Sequence, residues 1–453
     1  MATRVAAVDL GATSVRVAVV DLDRVGDPAR IVHRRQHVAR LGTDGVLRWQ
    51  WADILAEVER GLDLALRDGP LASIGVDTWG VDYGLLDQHG RLIAPPVSHR
   101  DERIQTWQAT ADRLGRDRLY AITGIQLMPI NTVFQLAAHD RQELDRASTL
   151  LMLPELVVHH LTGHVTGERT SAGTTALVDV STGTWSTELV TELELPYDLF
   201  PEIVPPGTAV GMYRDTPVHL VAGHDTASAF LAVSGPTGPS TVTISAGTWV
   251  LVGAELAAPD TSAEAAAANL SNEPAAFGGV RLLRNVTGLW LIEQCRASWG
   301  DPPITELLDQ ASTASAQDAQ PIDPNHPTLI APPDMPAAIR ALAGLPDDAP
   351  RGGIVRVALA AISAGAADVI EVLSRRVGAA ITDAHLIGGG ARNTLLAQMI
   401  EADAGVRIHP GATEATAVGN AMVQGLALGL WKDIDAARFE LARSSAIKDA
   451  TTP

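Results

Sequence analysis

The sequence predicts an α/β protein of two domains built to a related design, and three observations carry that expectation. The chain has 453 residues, more than one typical domain and suited to two of roughly 200 residues. Strand-like apolar runs alternate with amphipathic helical segments. A strand, polar turn, strand pattern opens the chain and is echoed past mid-length, just after the turn-forming run Ser234-Gly235-Pro236-Thr237-Gly238-Pro239-Ser240. The boundary is therefore expected inside that run, with an N-terminal domain of 1–236 and a C-terminal domain of 237–453.

The first hairpin is read from Val5–Leu10, the four-residue turn Gly11-Ala12-Thr13-Ser14, and Val15–Asp21. Trp51–Arg67 carries apolar residues at Ile54, Leu55, Val58, Leu62 and Leu66, the spacing of an amphipathic helix. A buried strand, Leu71–Val76, runs into Asp77-Thr78-Trp79-Gly80-Val81-Asp82-Tyr83. Thr123–Leu136 reads as a loop entering a helix, and Leu151–Gly163 as a short strand, a proline-started helix and a glycine stop. Val218–Ala222 is a strand that turns into Gly223-His224-Asp225-Thr226 and a small-residue helix, Ala227–Ala232. The second hairpin spans Thr241–Val252 around Gly247-Thr248. Ser312–Pro350 is expected to hold a surface loop, followed by a helix at Val355–Val377, a strand at Ala384–Ile387, the run Gly388-Gly389-Gly390, and a closing helix near Ala415–Leu430. The tail Ser444–Pro453 is expected to fray.

Composition narrows the function classes. Apolar residues at 46% and charged residues at 19% are globular values, so each half can bury a core. A formal net charge of -19 argues against nucleic acid or an anionic membrane as partner, while leaving room for a small anionic ligand bound with a divalent cation. Cys295 is the single cysteine, so no intrachain disulfide forms, in keeping with a reducing compartment. The first ten residues lead directly into a strand pattern and no run of about 18 apolar residues occurs, so the protein is expected to be cytoplasmic.

Four places hold residues suited to chemistry. Asp9, at the end of a buried strand, can hold Mg²⁺ through water while the amides and hydroxyls of the hairpin turn face phosphates; the same residues also suit a plain β-turn. Asp225 follows an apolar strand and precedes a helix. That is a position for a base that orients a hydroxyl nucleophile and takes its proton, and equally for a helix N-cap. Gly247-Thr248 gives backbone that can approach a phosphate closely, or a simple turn. The three glycines 388–390, with Asn393 after them, strip side chains from one wall where a flat base can lie.

The order hairpin, mid-chain Asp, second hairpin, glycine wall resembles the actin-like sugar kinases. Gly75-Val76-Asp77-Thr78-Trp79-Gly80-Val81-Asp82-Tyr83, Thr123-Gly124-Ile125-Gln126, Ile130-Asn131-Thr132, Gly167-Glu168-Arg169-Thr170-Ser171 and Asn285-Val286-Thr287-Gly288-Leu289-Trp290-Leu291 are similar to the sequence marks of the FGGY carbohydrate kinase family, its rhamnulokinase branch above all. The resemblance runs from about residue 5 to about residue 430. It implies two actin-like ATPase (ribonuclease H-like) α/β domains with an interdomain cleft, the first on the sugar side with a phosphate hairpin and the second on the nucleotide side. It implies ATP and Mg²⁺ as cofactors and phosphorylation of a ketose at its 1-hydroxyl: L-rhamnulose first, L-fuculose or xylulose as alternatives, with a non-kinase ATP-binding regulator as the rival from another class. Asp225 would be the catalytic base and Asp9 the metal ligand. Gly80, His224, Asp225, Thr226 and Asn285 would line the sugar pocket. Ala12, Thr13, Ser14, Val15, Arg16, Thr248, Glu293, Gly389, Gly390 and Asn393 would hold ATP. The partners expected are the ketose and ATP alone, on a monomer or homodimer.

Two residues depart from the family pattern. Val15 stands where relatives have glycine, which predicts a stiffer hairpin. Glu293 stands where relatives have glutamine, and a carboxylate cannot donate a hydrogen bond to ATP there as an amide would; Gln294 follows it. The run His409-Pro410-Gly411-Ala412-Thr413-Glu414-Ala415-Thr416 is a loose version of the family's late nucleotide-side motif.

Overall fold

The computed structural model describes residues 3–234, 238–314, 319–330 and 332–451. The chain divides into two compact units. The first comprises Met1–Ser234, Ala257–Arg281 and Glu414–Pro453; the second comprises Gly235–Leu256 and Leu282–Thr413. Of the turn-rich run read as a boundary, 235–237 lie outside the described residues.

The first unit is built on a sheet of β1 (Arg4–Gly11), β2 (Ser14–Asp21), β3 (Arg30–Gln36), β4 (Ser73–Thr78), β5 (Ala209–Tyr213) and β6 (Thr216–His219), in the order β5-β6-β4-β1-β2-β3. Val5, Ala6, Ala7, Val8 and Leu10 are all fully buried, so β1 is apolar on both faces, as a central strand covered on two sides must be. The turn between β1 and β2 holds two residues rather than the four read from the sequence, because Gly11 and Ser14 pair and extend the ladder. Val15 pairs with Leu10 and is fully buried, so it is a core residue of β2. The helix Trp51–Arg67 forms where the spacing placed it, burying Ile54, Val58, Leu62 and Ala65. Its Gly61 is required by packing, since a Cβ there would come within 2.3 Å of Val17 Cγ2.

The opposite face of the sheet receives a helix from the far end of the sequence, Ala415–Ala427. Its Gln424 Nε2 donates to Ala6 O at 3.0 Å, and its Asn420 Nδ2 donates to Asp77 Oδ2 at 2.6 Å. It crosses the short helix Asp225–Leu231 so closely that a Cβ on Gly419 would lie 1.8 Å from Ser228 O. A second cluster of the same unit packs Tyr83, Phe134, Leu150, Trp185 and Phe200 away from the sheet.

The second unit carries β7 (Thr241–Ala246), β8 (Trp249–Leu256), β9 (Val280–Thr287, entering from the first unit), β10 (Asp383–Ile387) and β11 (Arg407–Pro410), in the order β9-β8-β7-β10-β11. Its long helix begins four residues earlier than read, at Arg351, and ends at Val377. By length and composition it is apolar enough to cross a membrane, but 67% of its most apolar window is buried inside the protein, as befits a core helix. The stretch read as a surface loop between 312 and 350 contains the helix Met335–Ala343. Asp334 caps it, Pro336 sits in its first turn and Gly344 closes it with a left-handed φ of 65°. Those Pro, Asp and Gly residues are helix punctuation rather than loop formers. The tail forms the helix Ile434–Thr451 instead of fraying from Ser444; 452–453 lie outside the described residues.

Candidate active site

In the first unit, register brings the acidic residues together. Asp9 pairs with Asp77 on β4 in parallel and with Arg16 on β2 in antiparallel register. One residue further, Thr78 bridges to His224, and Thr78 N donates to Gly223 O at 2.8 Å. Parallel strands end together, so the carboxyl edge of the sheet delivers Asp9 and Asp77 to the segment that holds Asp225, the usual place for ligand chemistry in such sheets.

Arg16 Nη2 donates to Asp9 Oδ1 at 2.8 Å, and Arg16 Nη1 stands 3.6 Å from Glu414 Oε2. Burial nevertheless pushes the Asp9 carboxyl up to about 6; Arg16 pulls against that shift, while Asp225 and Glu414 add to it. Asp77 is held well above the usual carboxylate range, by burial first and by Asp9 next, and its Oδ1 is buried without a hydrogen-bond partner. Carboxylates that raise one another this way make a natural seat for a cation. Among the described residues no three His, Cys, Asp or Glu side chains are placed to hold a metal ion by themselves. The oxygen donors fit a hard cation such as Mg²⁺ that draws its remaining ligands from water and phosphate.

Asp225 opens its helix, with His224 in the N-cap position. Its Oδ1 accepts from Thr226 N at 2.6 Å and from Thr226 Oγ1 at 3.2 Å; Asp225 is the first residue of the helix and not its N-cap, a place that His224 takes without a side-chain cap bond, and the Asp225 side chain remains 27% exposed. The preceding backbone is held by a buried pair of glutamates. Glu168 Oε2 accepts from Gly223 N at 2.9 Å, Thr170 N at 2.9 Å and Ser171 N at 3.1 Å, and Thr170 Oγ1 accepts from His224 N at 3.2 Å. Behind it, Glu155 Oε1 accepts from Ser171 Oγ and from Glu168 N. Burial pushes Glu155 up to about 8, with the charge of Glu168 adding to the shift.

Gly80 stands where a Cβ would meet Thr174 Cγ2 at 2.9 Å, and Val81 after it has φ 69°, a strained value for a β-branched residue. The strain is held by three contacts: Val81 N donates to Thr174 Oγ1 at 3.1 Å, and Val81 O accepts from Thr132 Oγ1 at 2.7 Å and Gln135 Nε2 at 3.1 Å. Next to it Asp82, fully buried, accepts at Oδ2 from Trp49 Nε1 (2.7 Å), Trp79 Nε1 (2.8 Å) and His99 Nδ1 (2.9 Å). Burial opposes its charge, but His99 and the two indole donors outweigh it and hold Asp82 below the usual range.

In the second unit the turn of the second hairpin packs against the start of the helix Trp290–Ser298. Gly247 O accepts from Leu289 N at 2.9 Å, and Thr248 O accepts from Gly288 N and Trp290 N, each at 3.2 Å. Thr248 itself is exposed. Gly288 carries no side chain because a Cβ would sit 2.7 Å from Trp249 C. The glycine run reaches the same place: Gly388 has φ 81°, and a Cβ on Gly390 would lie 2.5 Å from Ala246 Cβ, next to the turn. A Cβ on Gly389 would meet nothing within 4 Å, so packing does not explain that glycine. Asn393 caps the helix Thr394–Ala404 by accepting from Leu396 N at 3.0 Å. Glu293 accepts from Arg296 Nη1 at 2.6 Å on an exposed face. Asn285 lies in β9 and is half-buried.

Within the first unit the residues singled out from the sequence therefore gather as Asp9, the turn Ala12-Thr13 with Ser14, Arg16, His224, Asp225 and Thr226 at one sheet edge. The side chain of Val15 goes to the core instead. Within the second unit Thr248 and Gly390 converge, while the side chains of Asn393 and Glu293 already serve a cap and an ion pair. Sequence reasoning passed over Asp77, Asp82, Glu168, Glu273, Arg281 and Glu414. Asp77, Asp82, Glu168 and Glu414 lay inside quoted motifs, and for Asp77 a charged residue at the end of an apolar strand is a signal; Glu273 and Arg281 offered none.

A two-domain carbohydrate kinase is what this fold and these residues define. The N-terminal domain model of the FGGY family of carbohydrate kinases matches residues 5–227 and its C-terminal domain model matches residues 242–428, so the chain belongs to that family. The chain is 35% identical over 461 residues to a protein named rhamnulokinase from Bacteroides thetaiotaomicron, covering 98% of this chain and 94% of the relative. It is also 35% identical over 455 residues to a rhamnulokinase from Enterococcus faecalis, covering 95% and 91%. Among solved structures it shares the fold of a ligand-bound xylulose kinase from Lactobacillus acidophilus, with TM-score 0.77, 18% identity and coverage of 99% and 96%. It likewise shares the fold of the glycerol kinase of Plasmodium falciparum with ADP, with TM-score 0.75, 16% identity and coverage of 97% and 92%.

Proposed function

We propose that this carbohydrate kinase transfers the γ-phosphoryl group of ATP to the 1-hydroxyl of a ketose, and that the ketose is L-rhamnulose. The observation that carries the reading is Asp225 at the carboxyl edge of the sheet, facing a cluster that contains Asp9 and Asp77, in a chain 35% identical to two rhamnulokinases over nearly its whole length. In the proposed reaction the sugar oxygen attacks the γ-phosphorus, the bond to the bridging oxygen breaks, ADP leaves, and the hydroxyl proton passes to the Asp225 carboxylate. His224, Thr226 and Gly80 line the sugar's side. An imidazole beside the base can exchange hydrogen bonds with a neighbouring hydroxyl, and Gly80 lets Thr174 pack close against the turn that leads to Asp82.

The first unit, Met1–Ser234 with Ala257–Arg281 and Glu414–Pro453, would then serve the sugar and the second the nucleotide. In the latter, Thr248 and the open face at Gly389 would meet ATP. Mg²⁺ would be held from Asp9, and when bound it neutralises charge developing on the transferred group. The single cysteine is in keeping with a reducing, cytoplasmic compartment.

The deciding experiment assays L-rhamnulose, L-fuculose, xylulose and glycerol side by side with ATP and identifies the product by NMR. The proposal expects the 1-phosphate of L-rhamnulose with the highest kcat/KM. A higher value with another ketose would reassign the substrate, and ADP release unaffected by any sugar would remove the kinase reading altogether.

A further inference from the structure

One buried ion pair near Asp225 is not needed by the chemistry above. Glu273 on the strand Ser271–Pro274 and Arg281 on β9 form it, with Arg281 Nη2 donating to Glu273 Oε2 at 2.9 Å; their side chains are 8% and 1% exposed. The same Glu273 oxygen lies 3.2 Å from His224 Nδ1. Arg281 Nη2 is 3.5 Å from that nitrogen, so two donors converge on one carboxylate. The guanidinium also lies over the Phe230 ring, 5.4 Å from its centroid, on the helix that Asp225 opens.

We propose that Glu273, held by Arg281, is a positioning residue that fixes the His224 ring so that its Nε2 stands beside the base and contacts the sugar. This rests on the reading of Asp225 as the base. With Nδ1–H donated to Glu273, the ring cannot rotate without breaking that bond, and Nε2 is left 3.4 Å from Asp225 Oδ1. Nε2, which then carries no proton, can accept from a second sugar hydroxyl next to the one held by Asp225. The backbone of the same residue is fixed independently, through Thr170 and Glu168, so His224 is held from two sides. A stability role alone is a poor account of the pair, because a buried ion pair contributes little that apolar side chains of the same volume would not. Arg281 and then His224 overcome the effect of burial and hold Glu273 below the usual range, so it stays the anion the ring needs.

The test is Glu273→Gln, which keeps the shape and removes the charge. Arg281 would claim the amide oxygen, turning the amide N–H toward Nδ1 and forcing the ring proton to Nε2. The expected result is a roughly tenfold or greater fall in kcat/KM for the ketose with KM for ATP unchanged, an exchange of the two ring ¹⁵N resonances of His224, and no further loss when Glu273→Gln is added to His224→Asn. A fall of less than twofold, or a loss that adds in full to that of His224→Asn, would overturn the proposal. Should Glu273→Gln not fold, Glu273→Asp draws the same carboxylate back from the ring and is read by the same three measurements. If Asp225→Asn is inactive while Glu273→Gln is silent, only the positioning role falls. If Asp225→Asn is as active as the wild type, the base assignment falls first.

Discussion

Asp77 and Asp9 stand opposite each other in parallel register, yet Asp9 is bonded to the cation of Arg16 whereas Asp77 is bonded to the neutral amide of Asn420. Burial and mutual repulsion make both carboxyls hold their protons more tightly than ordinary carboxylates do, and a bound divalent cation should displace those protons and take their place. Millimolar Mg²⁺ is expected to raise the melting temperature of the ligand-free protein, and EDTA to reverse the rise. Asp9→Asn should blunt the shift by at least half. Equal shifts in wild type and variant would place the ion elsewhere.

Asp225→Asn should lower turnover by about 100-fold or more, the usual size of general-base help, with ATP affinity by calorimetry within about twofold of the wild type. Turnover close to the wild-type value would remove Asp225 from its role.

Gly389 offers a test of the nucleotide side that leaves the fold untouched, since a Cβ there meets nothing within 4 Å and its backbone is not left-handed. Gly389→Val is expected to melt within a few degrees of the wild type but to raise KM for ATP by roughly tenfold, as an obstructed contact of about 1.4 kcal/mol would. An unchanged KM would mean that no base lies against this wall.

Glu155 predicts a pH dependence of stability. Its carboxyl is pushed up from the ordinary 4.5 to about 8 by burial. Below about 4.5 both folded and unfolded chains hold the proton. Between 4.5 and 8 only the folded chain does, so stability contributed by the protonated site drains away as pH rises, and above 8 the loss levels off. Denaturation midpoints measured from pH 5 to pH 9 should fall with pH, and Glu155→Gln should flatten the curve. A wild-type curve that rises across this window would contradict the assignment.

Asp82→Ala leaves two buried indole N–H groups and His99 without their acceptor. Urea unfolding should show a loss of about 3 kcal/mol or more, since stranded buried donors are costly. A loss below about 1 kcal/mol would show that water or other groups replace the carboxylate.

Much of the framework was legible in the sequence because it rests on local rules. Trp51–Arg67 announces itself by apolar spacing, the strand beginning at Val5 by an unbroken apolar run, and Asp225 by standing between a strand and a helix. What was not legible depends on long-range register. Nothing near Asp77 tells that Asn420 will reach it from 343 positions away, or that Glu273 will meet His224. Turn chemistry was misjudged where residues serve two purposes: Gly11 and Ser14 look like turn residues but continue the ladder, and Pro336 and Asp334 look like loop but start a helix.

The helix Ala415–Ala427 closes one face of a sheet whose first strand begins at Arg4. A ribosome must therefore complete nearly the entire polypeptide before that face can be covered, and the early strands wait with Ala6 and Asp77 exposed to the surrounding medium. Nascent chains stalled before Ala415 should need a chaperone to stay in solution, and adding the missing helix in trans as a peptide should restore them.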